Sequence, residues 1–331
     1  MLRPLQQSLR LPYRPLRTAR LLPSVSAVRS LATHSSHSEA GVADPAAYCK
    51  DYVRKRDYES YLIGGFYPRH LQGPFFALRA FYVELASIQD NVTNSMIGKM
   101  RLQFWRDAIK SIADGRPPQH PIALALYDAS QRANFPAYHF RRIIDARDAE
   151  LHTPTHLTVE SLTRHAESTA STYFYLLLSL LNLSSSDTFS HAASHLGVAQ
   201  TIQVLLRALP YHASKGRMII PAEITARHGV RQEDVFRRGG NADGISDAVF
   251  EFATVANDNL LTAREMFKQS SGGEGGTVPR VAMPVFLYGL PTRDYLGRLE
   301  AVNFDAFAPS VQLRDWKLPW KIWRGYYKGD F

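Results

Sequence analysis

Pro74-Phe75-Phe76-Ala77-Leu78-Arg79-Ala80-Phe81-Tyr82-Val83-Glu84-Leu85-Ala86-Ser87-Ile88 is the stretch that decides the fold. Phe75, Leu78, Phe81, Tyr82, Leu85 and Ile88 recur at helical spacing and gather on one side of an α-helix, whereas a half-buried strand would alternate apolar with polar residues. The face is broad enough to be buried in a core. Pro74 suits the first turn of such a helix, where its missing N–H is no loss.

The same periodicity continues outward. Asn94 or Ser95 can cap a second helix with the face Met96, Met100, Phe104, Trp105, Ile109 and Ile112, stopped by Gly115-Arg116-Pro117-Pro118. Further helices are predicted over residues 137–151, 159–183, 191–209 and 245–269, separated by Pro, Ser and Gly clusters. An all-α domain over residues 44–331 follows, and the absence of an internal repeat makes it one helical bundle rather than a solenoid. The run Ser270-Ser271-Gly272-Gly273-Glu274-Gly275-Gly276 reads as a flexible loop. No Gly-Lys-Ser/Thr follows it to make a phosphate-binding loop.

Composition bounds the function. The chain has 331 residues, 45% of them hydrophobic, enough to bury a large core. A single cysteine, Cys49, excludes an internal disulfide framework and the Cys-rich zinc motifs. The net charge of +9 is concentrated at one end: Arg3, Arg10, Arg14, Arg17, Arg20 and Arg29 precede the first carboxylate, Glu39. Without those six the remainder is about +3, too little for a nucleic-acid surface. An acid-free, Arg-rich segment interleaved with leucines reads as a mitochondrial transit peptide over residues 1–38, processed between Arg29 and Ser38. No run approaches the roughly 18 apolar residues of a spanning helix. The most apolar run, residues 173–183, reads as core.

Two blocks carry a family resemblance. Arg54-Lys55-Arg56-Asp57-Tyr58-Glu59, residues 76–86 and Met100-Arg101-Leu102-Gln103-Phe104-Trp105-Arg106 resemble the first half of squalene/phytoene synthase-like proteins. Leu196-Gly197-Val198-Ala199-Gln200, Leu206-Arg207 and Gly216-Arg217-Met218-Ile219-Ile220-Pro221 resemble the second half. The resemblance implies an isoprenoid-synthase-like helical bundle. It also implies a site: active members ionise an allylic diphosphate against Mg²⁺ held by aspartates on two facing helices, spaced so that they share a helix face. Here the first motif falls on Gln89-Asp90-Asn91-Val92-Thr93, with Asp90 its only carboxylate, and the second on Ala208-Leu209-Pro210-Tyr211-His212, with none. Gln89, Asp90, Thr93, Ala208 and His212 therefore read as degenerate metal positions, and no catalytic residue, metal or cofactor is expected.

Within the superfamily, Val83-Glu84-Leu85-Ala86 and residues 206–212 are similar to the branch of mitochondrial complex I assembly factors. That similarity implies a noncatalytic protein on the matrix side of the inner membrane, peripheral to it. Its implied partners are complex I subunits or assembly intermediates, early in building the membrane-embedded quinone-site region. The alternatives are a prenyl-diphosphate transferase with an altered metal site and a lipid-binding module.

Several residues carry two readings. Arg207, Lys215 and Arg217 lie where active relatives bind diphosphate and could hold an anionic head group, or Arg207 could pair with a carboxylate such as Asp90 and tie two helices together. Gln203, Tyr173 and Leu177 could line a retained pocket or fill the core. His191 and His195, four apart on a predicted helix, lack a third ligand for a metal. In the C-terminal segment, Trp316, Trp320, Trp323 and Tyr327 interleave with Lys317, Lys321 and Arg324, a pattern suited to peripheral inner-membrane lipid or to packing on the domain.

Overall fold

The computed structural model of the protein describes residues 44–92, 94–270 and 276–331, except the side chains of 269 and 270. The expected transit segment, Thr93 and residues 271–275 of the glycine-rich run lie outside them. Asp44 opens α1 (Pro45–Arg56) by accepting from the Ala46 N–H at 3.0 Å, with Pro45 in the first turn. Asp57 opens α2 (Tyr58–Gly64), accepting from the Ser60 N–H at 3.2 Å and the Ser60 hydroxyl at 2.6 Å.

The deciding stretch lies in α3 (Arg69–Asn91), which buries Phe75, Leu78, Phe81, Leu85 and Ile88. Pro74 is inside this helix and not in its first turn, because the helix already begins at Arg69. Its missing N–H frees the His70 carbonyl, which accepts instead from Arg132 Nη1 at 3.4 Å. Asn94 caps α4 (Ser95–Ala113) through the Met96 N–H at 2.8 Å, and Gly115 ends it with φ +75°. The buried face of α4 is Leu102, Trp105, Ala108, Ile109 and Ile112. Met96, Met100 and Phe104, expected on that face, are exposed, because the packed stripe is centred on Leu102 and Trp105.

Then follow α5 (Pro121–Ser130), α6 (Ala137–His152), α7 (Val159–Ala166), a π-helical turn at Glu167–Ser171 and α8 (Thr172–Leu180). The single helix expected over 159–183 is thus interrupted. At the interruption Gly197 lies so close to Ser171 that an added Cβ would meet the Ser171 backbone N at 2.5 Å. Ser171 Oγ donates to the Ser194 carbonyl at 2.8 Å across that contact. A widened turn lets two backbones approach where a regular one would not.

The remaining helices are α9 (Asp187–Ser214), α10 (Ala222–Arg227), α11 (Gln232–Arg238), α12 (Ile245–Ser270), α13 (Met283–Phe286), α14 (Gly289–Glu300), α15 (Pro309–Gln312) and α16 (Leu318–Lys328). No strand occurs among the described residues. Two apolar clusters form the core, one around Phe75, Phe81, Trp105, Phe140, Phe174 and Phe286, the other around Ile202, Leu206, Phe252 and Tyr295. Helix α9 belongs to both, giving Leu196 and Ala199 to the first and Val198, Ile202 and Leu206 to the second. No helix among the described residues is long and apolar enough to cross a membrane.

Candidate functional site

A cavity of about 590 Å³ opens between α3 and α9. Arg79, Tyr82, Val83, Ala86, Gln89 and Asp90 of α3 line it at the spacing of one helix face, and Gln200, Val204, Arg207, Ala208, Tyr211 and His212 of α9 line it opposite. The two helix stretches singled out from sequence therefore meet across one space. On α3 Ala86 and Asp90, four residues apart, both face the cavity, and Gln89 lines it beside them. On α9, Ala208 and His212 both face the cavity.

The wall is built of ion pairs. Arg79, which is buried, donates through Nε to the largely enclosed Asp57 Oδ2 at 2.5 Å. Burial pushes the Asp57 carboxyl up, but Arg79 and the hydrogen bonds from Ser60 outweigh it and hold it below its ordinary value. The Arg79 guanidinium lies over the rings of Tyr82, Tyr173 and Tyr288 at 4.9, 5.0 and 5.5 Å, while its Nη1 makes no hydrogen bond. Tyr288 donates to Ser60 Oγ at 3.0 Å, closing the network back onto the α2 cap. Because Asp57 is both a helix cap and a counter-ion, the start of α2 fixes the position of a charge on α3.

Higher on the wall Arg147 donates to Glu150 at 2.8 Å and to Tyr82 Oη at 3.4 Å. Burial alone would raise the Glu150 carboxyl, but Arg147 and His165 hold it low. His165 Nε2 lies 3.8 Å from Glu150, yet burial pushes the imidazole down to about 4. At neutral pH that contact joins a neutral ring to a carboxylate and is not an ion pair. His212 and His156 are also pushed down, by burial first.

Arg207 binds Glu59, and Arg217 binds Asp90 at 2.6 Å. The expected Arg207–Asp90 pair is thus replaced by two separate pairs. Glu59 competes for Arg207, and the turn after α9 delivers Arg217 to Asp90. Lys215 sits at the C-terminal cap of α9, exposed and away from the lining. Of the two readings open for Tyr173, Leu177 and Gln203, core filling is the one observed: all three are buried in the packing, with Tyr173 beneath Arg79.

These residues do not fit a magnesium cluster. A hard cation needs several oxygen donors not already bound to cations. Here each carboxylate on the wall is occupied: Asp57 by Arg79, Glu59 by Arg207, Asp90 by Arg217, Glu150 by Arg147, Asp294 and Asp315 by Lys321. Among the described residues no group of three or more His, Cys, Asp or Glu could hold a metal ion. His195 Nδ1 lies 2.9 Å from Asn259 Oδ1.

At the far edge of the cavity, Leu313, Arg314, Asp315 and Leu318 lead into α16. That helix buries Leu318, Ile322 and Gly325 and leaves Trp320, Trp323 and Tyr327 more than half exposed; Trp316 before it is 81% exposed. Lys317 and Arg324 accompany the aromatics. Lys321, grouped with them from sequence, is instead held by Asp294 and, at 2.8 Å, by Asp315, because its position on the helix turns it toward α14.

Sequence reading passed over Asp57, Arg79, Arg147, Glu150 and His165. Only Asp57 left a signal, standing three residues before Ser60 in a cap-like spacing. The others are ordinary charges until the fold buries them.

The fold and the two facing helices define the class, and the chain belongs to the squalene/phytoene synthase family, whose family model matches residues 53–324. A squalene synthase from Alicyclobacillus acidocaldarius superposes with a TM-score of 0.67 at 18% identity, covering 79% of this chain and 95% of that one. A dehydrosqualene synthase solved with a ligand gives 0.70 at 16% identity, covering 86% and 95%. At such identities these two speak for the fold alone. Sequence relatives are nearer. A rat protein named NADH dehydrogenase (ubiquinone) complex I, assembly factor 6, is 38% identical over 320 residues, 96% of this chain and 92% of its own. The human protein of that name is 37% identical over 88% of each chain. A phytoene synthase from Arthrospira platensis is 22% identical over 73% of this chain and 80% of its own.

Proposed function

We propose that this protein is an assembly factor for mitochondrial respiratory complex I, working without catalysis on the matrix side of the inner membrane. The observation that carries this reading is the near full-length similarity to relatives that bear that name, where the synthases match far more weakly. The site supports it. A diphosphate-ionising enzyme needs carboxylates free to hold metal, whereas Ala86, Ala208 and His212 offer none at cavity-facing positions and Asp90 is bound by Arg217. Such a pseudoenzyme keeps the bundle as a scaffold and acts early, around the membrane-embedded quinone-site region, through contacts with subunits or assembly intermediates. Residues 1–38 serve as its transit peptide, and residues 44–331 form the working domain.

Native-gel analysis of cells lacking the protein tests this. Complex I should be lost, and restored equally by the wild-type chain and by Asp90→Ala. Intact complex I without the protein would remove the proposal, and failure of a normally accumulating Asp90→Ala chain to restore it would bring metal chemistry back.

The open cavity favours a second, compatible reading in which an anionic amphiphile occupies it beside Arg207 and Arg217. Native mass spectrometry of the purified protein should then find a co-purifying lipid or phosphorylated isoprenoid.

A further inference from the structure

The short helix α16 carries two stripes at helical spacing. Leu318, Ile322 and Gly325 face the protein and are buried. Trp320, Trp323, Arg324 and Tyr327 lie on the opposite side at i, i+3, i+4 and i+7, the spacing of an apolar face, yet they point to solvent with the three aromatics 58, 52 and 58% exposed. Trp316 extends the stripe beyond the helix start. Three of the chain's four tryptophans stand on this one surface; the fourth, Trp105, is in the core.

The charge on the surface has one sign. Lys317 lies over the Trp316 ring at 5.3 Å and Arg324 over Trp320 at 5.4 Å, while Lys328 is exposed at the helix end. Among the described residues none of these three has a carboxylate within ion-pair distance. The acids near the helix are consumed elsewhere: Asp294 and Asp315 by Lys321, Asp330 by Arg264 and Arg293.

We propose that this face docks on an anionic lipid bilayer, the tryptophans and Tyr327 entering the interfacial layer while Lys317, Arg324 and Lys328 meet the head groups. Indole and phenol rings combine an apolar body with a polar edge and favour that layer, and cations beside them are drawn to anionic lipid. The alternative occupant, a protein surface, would seat such rings in pockets and match the cations with acids. A convex helix of spread aromatics with unpaired cations suits the bilayer better. Because Leu313, Arg314 and Asp315 border the cavity just ahead of Trp316, docking also brings the cavity edge to the head-group level. The inference deepens the proposed role at the inner membrane and rests on it only for the choice of membrane.

The test uses the full chain with vesicles of phosphatidylcholine alone or mixed with phosphatidylglycerol, read by co-sedimentation and by tryptophan emission. Since the exposed tryptophans all lie on this face, their emission should shift to shorter wavelength with the anionic vesicles and stay unshifted with the neutral ones. Replacing Trp316, Trp320 and Trp323 together by Ser should lower partitioning about tenfold or more, with thermal unfolding unchanged to show that the variant is folded. Arg324→Gln combined with Lys317→Gln should weaken binding and flatten its dependence on salt. No emission shift, or a triple variant that binds as well as wild type through its basic N-terminal segment, overturns the proposal. So does vesicle indifference combined with loss of complex I rescue by the triple variant, which would make the face a protein interface and leave the assembly role standing.

Discussion

On the cavity wall every carboxylate meets a cation, whereas on the outer face of α16 the cations meet no carboxylate among the described residues. The same residue kinds serve opposite ends in the two regions. Charges withdrawn from water must be paired, since a lone buried ion costs more than any contact it makes. Exposed cations carry no such demand and stay available to a partner. The carboxylates of the cavity are neutralised within its own wall, and the C-terminal face carries cations with no acid to meet them among the described residues.

The largest expected effect comes from breaking an ion pair of that wall. Arg79→Met strands Asp57 in the interior and should cost about 3–5 kcal/mol in chemical denaturation. A loss below about 1 kcal/mol would mean that the surrounding tyrosine rings, not the ion pair, hold this end of the cavity. Next, Gly197→Ala drives a methyl into the Ser171 backbone and should cost about 2–3 kcal/mol, measured the same way.

Acidification comes third. Burial lowers His165 to about 4 in the folded state, below its unfolded value, so the unfolded chain binds the extra proton first. The stability tied to a neutral His165 is therefore full above about 6.5 and is lost progressively as pH falls toward about 4, an effect on the order of 2 kcal/mol. His165→Gln should flatten the pH dependence of the unfolding midpoint over that interval. A slope identical to wild type would move the effect to other groups.

A partly exposed pair should matter less. Arg217→Ala opens a pair whose side chains are 28 and 37% exposed, and should cost under about 1 kcal/mol by thermal melting. Smallest of all, Trp320→Ser should change stability by no more than about 0.5 kcal/mol, because the ring touches solvent more than core. A much larger loss would show that the outer stripe of α16 packs on the domain after all and erase the contrast between the two regions.

Much of the fold was legible along the chain. The face of α3, the Asn94 cap and the stop at Gly115 depend on residues within a turn or two of one another, and local spacing reports them. Misreadings arose where distant backbone intervened. Pro74 sits within α3, where the Arg132 side chain, far along the chain, donates to the freed His70 carbonyl. The π-helical turn at Glu167–Ser171 accommodates Gly197, which no pattern within residues 159–183 announces. Likewise α4 turns Leu102 inward and Met100 outward, although both fit a helical repeat.

For the site, the sequence by itself determined which residue types occupy the two facing helices, hence that residues 89–93 carry one carboxylate and residues 208–212 none. It also set the aromatic and cationic residues at the C-terminus. Only the tertiary structure decided their partners. Arg79 finds Asp57 across 22 residues, Arg217 finds Asp90 across 127 and Arg207 finds Glu59 across 148. It likewise turned Lys321 inward and left Trp320 outside. The reason is physical: helical periodicity is a short-range property written in neighbouring side chains, while Coulomb pairing and desolvation depend on which distant groups the packed core brings within a few ångströms.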